Sequence, residues 1–375
     1  MTILIKGCKA FLNFIFLFFK LLPVLNKVTF ISRQSDEVST DMKMLSDEIG
    51  RREPAVRTVF LCRTIPPGII GKLRYCCHMF KQMYHIATSK IVILDSYCVG
   101  VSLLRQRKSL LVVQIWHALG ALKKFGRSIL DEGEGRSREI SEAMNMHHHY
   151  DMIVSSSTLC APHFAEAFGY EAECVRVASL PRVDLLTDTV HHENTRRRIL
   201  QKYPELTEKE TIVYAPTFRK ESRCNEEALE KLLQAVNLRK YNLVVKAHPL
   251  MNVEQYADRE GVLYDKSFTT IEMFTAADYV IVDYSAVIYE AALMKKPLFF
   301  YVYDMEQYQD NRDFYIDYET EMPGVISADA GKILQAIEEK DYDIKQVDAF
   351  AQKYVEIRQN CTADLAEKIL CMRKS

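Results

Sequence analysis

The sequence predicts an α/β protein built from two doubly wound domains, and three observations carry that prediction. Short apolar runs rich in β-branched residues alternate with stretches of helical periodicity. The runs are continuous rather than alternating, as in strands buried on both faces of a parallel sheet. The pattern breaks once, at a charged helical stretch over 191–210, and then restarts. Repeated strand–helix–strand units imply parallel sheets with right-handed crossovers. At 375 residues the chain also exceeds one ordinary core.

The first element is "MTILIKGCKAFLNFIFLFFKLLP". Its longest uncharged run is about half of the ~20 residues a spanning helix needs. At 100° per residue, Thr2, Lys6, Lys9, Asn13 and Lys20 fall in one stripe roughly 60° wide. Ile, Leu and Phe fill the rest. This predicts an amphipathic helix over 1–22, lying in a membrane interface with its lysines toward lipid phosphates and stopped by Pro23. The following "KLLPVLNKV" offers no small-residue cleavage site, so a signal peptide is not expected.

Strands are expected next at 27–32, 56–62, 91–95, 109–116, 151–157 and 174–179. Helices such as "GKLRYCCHMFKQMYHIATS" and "TLCAPHFAEAFGY" lie between them. After the charged stretch, strands are expected at 211–218, 242–249, 261–265, 278–285 and 297–302, with "NEEALEKLLQAV" and "TTIEMFTAA" as helices. The tail beyond 328 reads as helices, "DAGKILQAIEEK" and "DAFAQKYVEIRQNCTADLAEKILCMRK", the last able to cross back onto the first domain. The expected domains are 23–194 and 195–375, after the N-terminal helix.

Composition narrows the function. A net charge of -1 argues against a nucleic-acid partner. Ten scattered cysteines without a CxxC pair suggest neither a disulfide framework nor a zinc site, and fit a reducing cytosolic compartment. No GxxxxGK[ST] or GxGxxG motif is present, which disfavours P-loop hydrolysis and dinucleotide redox chemistry. "MHHHYD" reads as a solvated surface, and neither a protein-built metal site nor a cofactor is expected.

Two doubly wound sheets present their ligand sites at the carboxyl ends of their strands. The first domain delivers Trp116-His117, Ser155 to Ser157 with Ser156 central, and "SLPRVD" with Arg182 and Asp184. The second delivers Thr217 and Arg219, Lys246 and His248, then Asp283, Tyr284 and Ser285. Histidines, hydroxyls and cations with few carboxylates suit a phosphorylated ligand. Small residues after His117, Ala118 and Gly120, let a ligand approach a histidine able to act as a base near neutral pH. His248 and Lys246 form a cationic edge, though a lone histidine before Pro249 also fits a structural role. Ser285 either holds a phosphate at a helix N-terminus or simply caps that helix.

These residues and their order resemble the CDP-glycerol:poly(glycerophosphate) glycerophosphotransferase family, whose members prime and polymerise teichoic acids. The matching segments are "LLPVLNKVTFIS", "QIWHALGALKKFG", "DMIVSSSTLCAPHFAEAFGY", "SLPRVDLL", "TIVYAPTFR", "VVKAHP", "ADYVIVDYSAVIYEAALMKKPLFFYVYDMEQYQDNRDFYIDY" and "MPGVI". The resemblance implies a GT-B-like fold, with two Rossmann-like domains facing a central cleft. The first domain would be the acceptor side and the second the donor side. It also implies peripheral attachment to the cytoplasmic face of an anionic membrane. The activity implied is transfer of a polyol phosphate, glycerol phosphate first, from a CDP-activated donor to a hydroxyl of a lipid-linked or polymeric acceptor, releasing CMP. By the resemblance His117 is the base, and His248 contacts the donor diphosphate and stabilises the leaving CMP. Arg182, Lys246 and Arg219 are further cations, and Ser285 holds a phosphate oxygen. Thr217, Asp283 and Ser156 complete the substrate-binding set.

The sequence departs from the family pattern at Ala118-Leu119-Gly120, Ser179, Ala286 and Asp313. These changes bear on the polyol more than on the reaction, and leave room for CDP-ribitol. The competing reading is a GT-B glycosyltransferase using a nucleotide sugar, with Glu290 on ribose or sugar hydroxyls. A scaffold without turnover is the third.

Overall fold

The computed structural model describes residues 2–217, 222–247, 259–306, 308 and 313–373. The chain divides into two compact units. Unit 1 holds residues 1–119, 124–184 and 356–375, and unit 2 holds 120–123 and 185–355.

Unit 1 is built on a six-stranded sheet of order β2-β1-β3-β4-β5-β6. Its strands are β1 (Lys27–Ser32), β2 (Arg57–Cys62), β3 (Ile91–Leu94), β4 (Leu111–Gln114), β5 (Met152–Ser155) and β6 (Val175–Val177). All pairs are parallel, with Val28 opposite Ile91 and Ile91 opposite Leu111. Every residue of β1, β3, β4 and β5 is buried, which explains their unbroken apolar runs. The strand order reverses between β1 and β3, and in open parallel sheets ligands bind at the carboxyl edge beside such a reversal.

Helix α1 (Thr2–Phe19) stops before Pro23 as expected, but its orientation inverts the expected one. Asn13 and Lys20 of the polar stripe face the unit, while Lys6 is exposed. Asn13 donates to the carbonyl of Leu103 (3.1 Å) and accepts from the amide of Arg105 (2.8 Å). Lys20 donates to the carbonyl of Arg105 (3.0 Å). Phe16 is buried, while Phe11, Phe14, Leu17 and Phe18 point outward, each more than half exposed. The unit's loop at 103–105 presents backbone polar groups that need partners, and the stripe supplies them. Among the described residues, no helix is long and apolar enough to cross a membrane.

Helix α2 (Thr40–Arg52) starts at Ser39, whose hydroxyl accepts from the amide of Met42, and carries Asp41 in its first turn. Helix α3 (Gly68–Thr88) follows β2 and lies beside α1, where Phe19 meets Tyr84 edge-on at 6.3 Å. The terminal helix Cys361–Cys371 returns to this unit, its Glu367 and the carbonyl of Ala363 accepting from Arg52.

Unit 2 carries a second parallel sheet of order β12-β11-β10-β7-β8-β9. The strands are β7 (Glu210–Ala215), β8 (Tyr241–Val245), β9 (Val262–Tyr264), β10 (Tyr279–Val282), β11 (Leu298–Tyr301) and β12 (Ile326–Ser327). The order reverses between β7 and β10. Leu229, Leu232, Ile281, Phe299, Ile333 and Ile337 fill one core between the sheet and the helices Ser222–Ala235 and Ala330–Glu339. Residues 120–123 belong here because Lys123 bridges to Phe314 and Leu122 accepts from the amide of Tyr315 at 3.0 Å.

Three expectations are corrected. The boundary falls after Asp184 rather than at 194/195, because 189–202 is a helix of unit 2 capped by Asp188. The second unit ends at Val355 rather than at 375, because the last 20 residues make the crossing back to unit 1 that the tail allowed. The long tail helix is two helices, Ile344–Tyr354 and Cys361–Cys371, broken where Asn360 takes a left-handed φ of 55°. The strand β12, two residues long, gave no sequence signal.

Candidate active site

In unit 1, the chain leaving β4 turns sharply at Trp116, whose φ is +59°. For a bulky residue this left-handed conformation costs on the order of 1–3 kcal/mol and persists only where the surroundings impose it. They do so here. The Trp116 amide donates to Oε1 of Gln114 (3.0 Å), whose Nε2 donates to the carbonyl of Ser96 (3.2 Å). The indole stacks on Phe125 at 4.9 Å and meets Phe168 edge-on at 5.3 Å. The turn puts Trp116 into the aromatic core and His117 out at the carboxyl edge of the sheet, its ring 4.1 Å from the indole.

Nδ1 of His117 lies 2.8 Å from the backbone carbonyl of Asp95. A carbonyl only accepts, so the proton sits on Nδ1 and the basic lone pair on Nε2. The side-chain amide of Gln34, from the loop after β1, lies 3.2 Å from the same Nδ1. His117 is thus gathered with groups from the ends of β1 and β3, at the point where the strand order reverses.

Beneath it lies a charged cluster. Arg182 donates through Nη2 to the carbonyl of His117 (3.0 Å) and through Nη1 to the Asp41 carboxylate. The Arg182 amide donates to the other Asp41 oxygen at 2.8 Å. The Asp95 carboxyl is buried, and burial pushes it up to about 6, against lowering hydrogen bonds from Ser32 and Ser96. Gln34, Asp41 and Asp95 were missed in the sequence. Asp95 ends the run "IVILD", so the strand-end rule that selected His117 could have found it. Nothing local marks Gln34 or Asp41.

Ser156 is buried in the loop after β5, and its carbonyl accepts from the amide of Glu356 at 2.9 Å. Asp184 accepts from the amides of Cys361 (2.8 Å) and Thr362 (2.9 Å) and caps the terminal helix. His147 of "MHHHYD" is buried rather than solvated. Its Nδ1 is 3.0 Å from the Tyr150 hydroxyl, and desolvation lowers it to about 3, so it is a neutral core histidine. Among the described residues, no cluster of three or more His, Cys, Asp or Glu is arranged to hold a metal.

In unit 2, Thr217 follows β7 and Asp283 follows β10, on either side of that sheet's reversal. The fully buried Asp283 carboxylate accepts from the Thr217 amide (2.9 Å) and hydroxyl (2.6 Å). Its backbone carbonyl accepts from the hydroxyl of Tyr318 at 2.7 Å. Lys246 donates to the Asp265 carboxylate (2.8 Å) and to the carbonyls of Asp265 (2.9 Å) and Phe268 (2.5 Å). Three bonds match the three donors of an ammonium, so Lys246 ties the loop after β9 to β8. Ser285 does not cap a helix as expected, since the helix begins later, at Ile288, and the hydroxyl accepts only a long 3.4 Å bond from the Val287 amide. Glu290 is buried on that helix. His248 and Arg219 lie outside the described residues.

A model of the CDP-glycerol:poly(glycerophosphate) glycerophosphotransferase family matches residues 14–369. The chain belongs to this family. It is 33% identical over 344 residues to a teichoic acid ribitol-phosphate primase of Bacillus spizizenii, covering 89% of this chain and 88% of that one. It is 30% identical over 282 residues to a teichoic acid glycerol-phosphate primase of the same organism, covering 74% and 73%. Among solved structures it is similar to the wall teichoic acid polymerase TagF, with a TM-score of 0.75 at 17% identity, covering 98% of this chain and 96% of that one. That likeness shows the GT-B-like α/β fold. Family membership makes the protein a CDP-polyol phosphotransferase of teichoic acid synthesis and sets aside the glycosyltransferase and scaffold readings.

Proposed function

We propose that this glycerophosphotransferase-family enzyme uses His117 as the base that activates an acceptor hydroxyl. Nε2 takes the proton as the hydroxyl oxygen attacks the β-phosphorus of the CDP-polyol. The bond from that phosphorus to the bridging oxygen breaks, and CMP leaves. The observation that carries this reading is the bond from Nδ1 to the Asp95 carbonyl, which places the proton on Nδ1 and makes Nε2 the basic nitrogen. Thr217 and Asp283, beside the reversal of the second sheet, form the donor-side edge with Ser285, and Arg219 and His248, which follow β7 and β8 in the sequence, complete the donor set. His248 stabilises charge on the leaving CMP. Most of the acceleration then comes from positioning and charge stabilisation. The unit transferred is glycerol phosphate. A second reading, ribitol phosphate, is favoured by the 33% identity to a ribitol-phosphate primase.

The enzyme works as a peripheral protein on the cytoplasmic face of an anionic membrane, where a lipid-linked acceptor is presented. Two helices support this. The outward face of α1 carries Phe11, Phe14, Leu17 and Phe18, and that of α3 carries Ile69, Ile70, Leu73 and Phe80. Neither helix contains Asp or Glu, while Lys6, Lys72, Arg74 and Lys81 are exposed on them. An apolar surface flanked by cations alone suits insertion among anionic headgroups.

The test is CMP release from CDP-glycerol and from CDP-ribitol with a lipid-linked acceptor, comparing wild type with His117→Ala. Histidine-dependent release from either donor supports the reading and selects the polyol. Full release by the variant removes His117 as base.

A further inference from the structure

Arg182 arrives from the sequence as a cation for the donor's phosphates. Its surroundings assign it other work. One arm of the guanidinium meets the Asp41 carboxylate, and the other donates to the carbonyl of His117 at 3.0 Å. Asp41 grips both the side chain and, at 2.8 Å, the main-chain amide of Arg182. Both side chains are shielded, Arg182 at 14% exposure and Asp41 at 6%. Asp41 also lies in the first turn of α2, where the helix dipole favours a carboxylate. The residue whose carbonyl this fork holds directly follows the strained Trp116.

We infer that the Asp41–Arg182 pair is a positioning device for His117, holding the turn after β4 so that Nδ1 stays on the Asp95 carbonyl and Nε2 faces the acceptor. This rests on the reading of His117 as the base. A strained turn needs restraint, because its relaxed alternatives lie within a few kcal/mol. Release of the His117 carbonyl would let the peptide rotate and swing the imidazole off Asp95. Displacements of about 1 Å at a reacting group cost on the order of 10²-fold in rate. A lysine cannot replace the fork, since one ammonium lacks the planar geometry that spans a carboxylate and a carbonyl.

The experiment is steady-state CMP release by Arg182→Lys, Asp41→Asn, His117→Ala and the double variant Arg182→Lys/His117→Ala. The lysine keeps the positive charge, so a phosphate-binding role would largely survive it. We expect Arg182→Lys to lower kcat about 10- to 100-fold with the donor KM within about twofold of wild type. Asp41→Asn, which still accepts from the Arg182 amide, should reproduce that pattern. On the His117→Ala background Arg182→Lys should cost nothing further, because residues acting as one unit are not additive. A raised donor KM with unchanged kcat overturns the inference, as does a full multiplicative loss in the double variant. Failure of the base reading shows separately, as undiminished release by His117→Ala alone.

Discussion

The backbone carbonyl of Asp95 accepts the Nδ1–H of His117 at 2.8 Å, so the tautomer of the proposed base is set by main chain at the end of the neighbouring strand. Asparagine can copy that donor, because its amide nitrogen falls close to the position of Nδ1, but it carries no base at Nε2. His117→Asn should therefore keep the thermal stability of the wild type and lose CMP release by about 10²- to 10⁴-fold. Thermal unfolding and release assays on the same preparation check both halves. Loss of stability together with activity would give His117 a structural role instead.

The side chain of Asp95 makes an independent prediction. Burial raises its carboxyl to about 6, and Oδ1 has no hydrogen-bond partner. The unfolded chain releases this proton near 3.9, whereas the folded chain holds it to about 6. Stability from this group is therefore fullest below about pH 4, falls as pH rises toward 6, and stays low above it. A shift of about two units corresponds to roughly 3 kcal/mol as an upper figure. Asp95→Asn should raise urea resistance at pH 7.5 and leave it near wild type at pH 4. An equal effect at both pH values would mean that the ionisation is not responsible.

The contrast between Asp95 and Arg182 shows what the sequence makes readable. Parallel strands buried on both faces leave continuous apolar runs, so eleven strands and the polar residues at their ends are visible one by one. The order of strands in a sheet is not encoded in such runs. Nothing in "KVTFIS" or "IVILD" says that β1 and β3 are neighbours and that the strand order reverses between them. Partners distant in sequence are equally hidden. Arg182 reads as a spare cation until Asp41, 141 residues earlier, is found beside it. Lys246 likewise looks available until Asp265 and Phe268 take its donors. The polar stripe of α1 was legible, but its direction was not, because a stripe can face backbone carbonyls as well as lipid phosphates.

On the second sheet, the Thr217 hydroxyl donates to Asp283 at 2.6 Å. Thr217→Val removes this donor to a buried carboxylate and should cost about 1.5–3 kcal/mol, the usual range for a bond to a charged group. Thr217→Ser keeps the hydroxyl and should keep most of the stability. If the pair forms part of the donor edge, the valine variant also raises the KM for the CDP-polyol and the serine variant does not. A stability loss with unchanged KM would confine the pair to holding β7 and β10 together.

Gly120 tests the loop that follows the base. A Cβ placed there would lie 2.4 Å from the Tyr289 ring, which itself stacks on Phe350 at 5.5 Å. The ring is wedged and cannot retreat without breaking that stack, so Gly120→Ala should destabilise the protein by about 1–3 kcal/mol, the range for overpacking. Shrinking the ring with Tyr289→Leu should recover part of the loss in the double variant, which urea unfolding would read as non-additivity. Purely additive losses would place the strain elsewhere in the loop.

The outward faces of α1 and α3 give the last prediction. Phe14 is 59% exposed and Ile69 is 79% exposed, so replacing either with aspartate removes little buried area and should leave folding stability within about 0.5 kcal/mol. The same change places a negative charge where the proposed surface meets anionic headgroups, and withdraws a large apolar side chain from the bilayer boundary. Phe14→Asp and Ile69→Asp should each weaken flotation with vesicles containing anionic lipid, and together abolish it. CMP release with a soluble acceptor analogue should persist, since neither residue is among the groups gathered around His117. Binding that survives both substitutions would remove these helices as the membrane contact. Binding lost with Phe14→Asp alone would assign it to α1 and leave α3 as an ordinary exposed helix. Vesicles of neutral lipid separate the two contributions, because the cations Lys6, Lys72, Arg74 and Lys81 act only on anionic surfaces, while the phenylalanines and isoleucines insert into both.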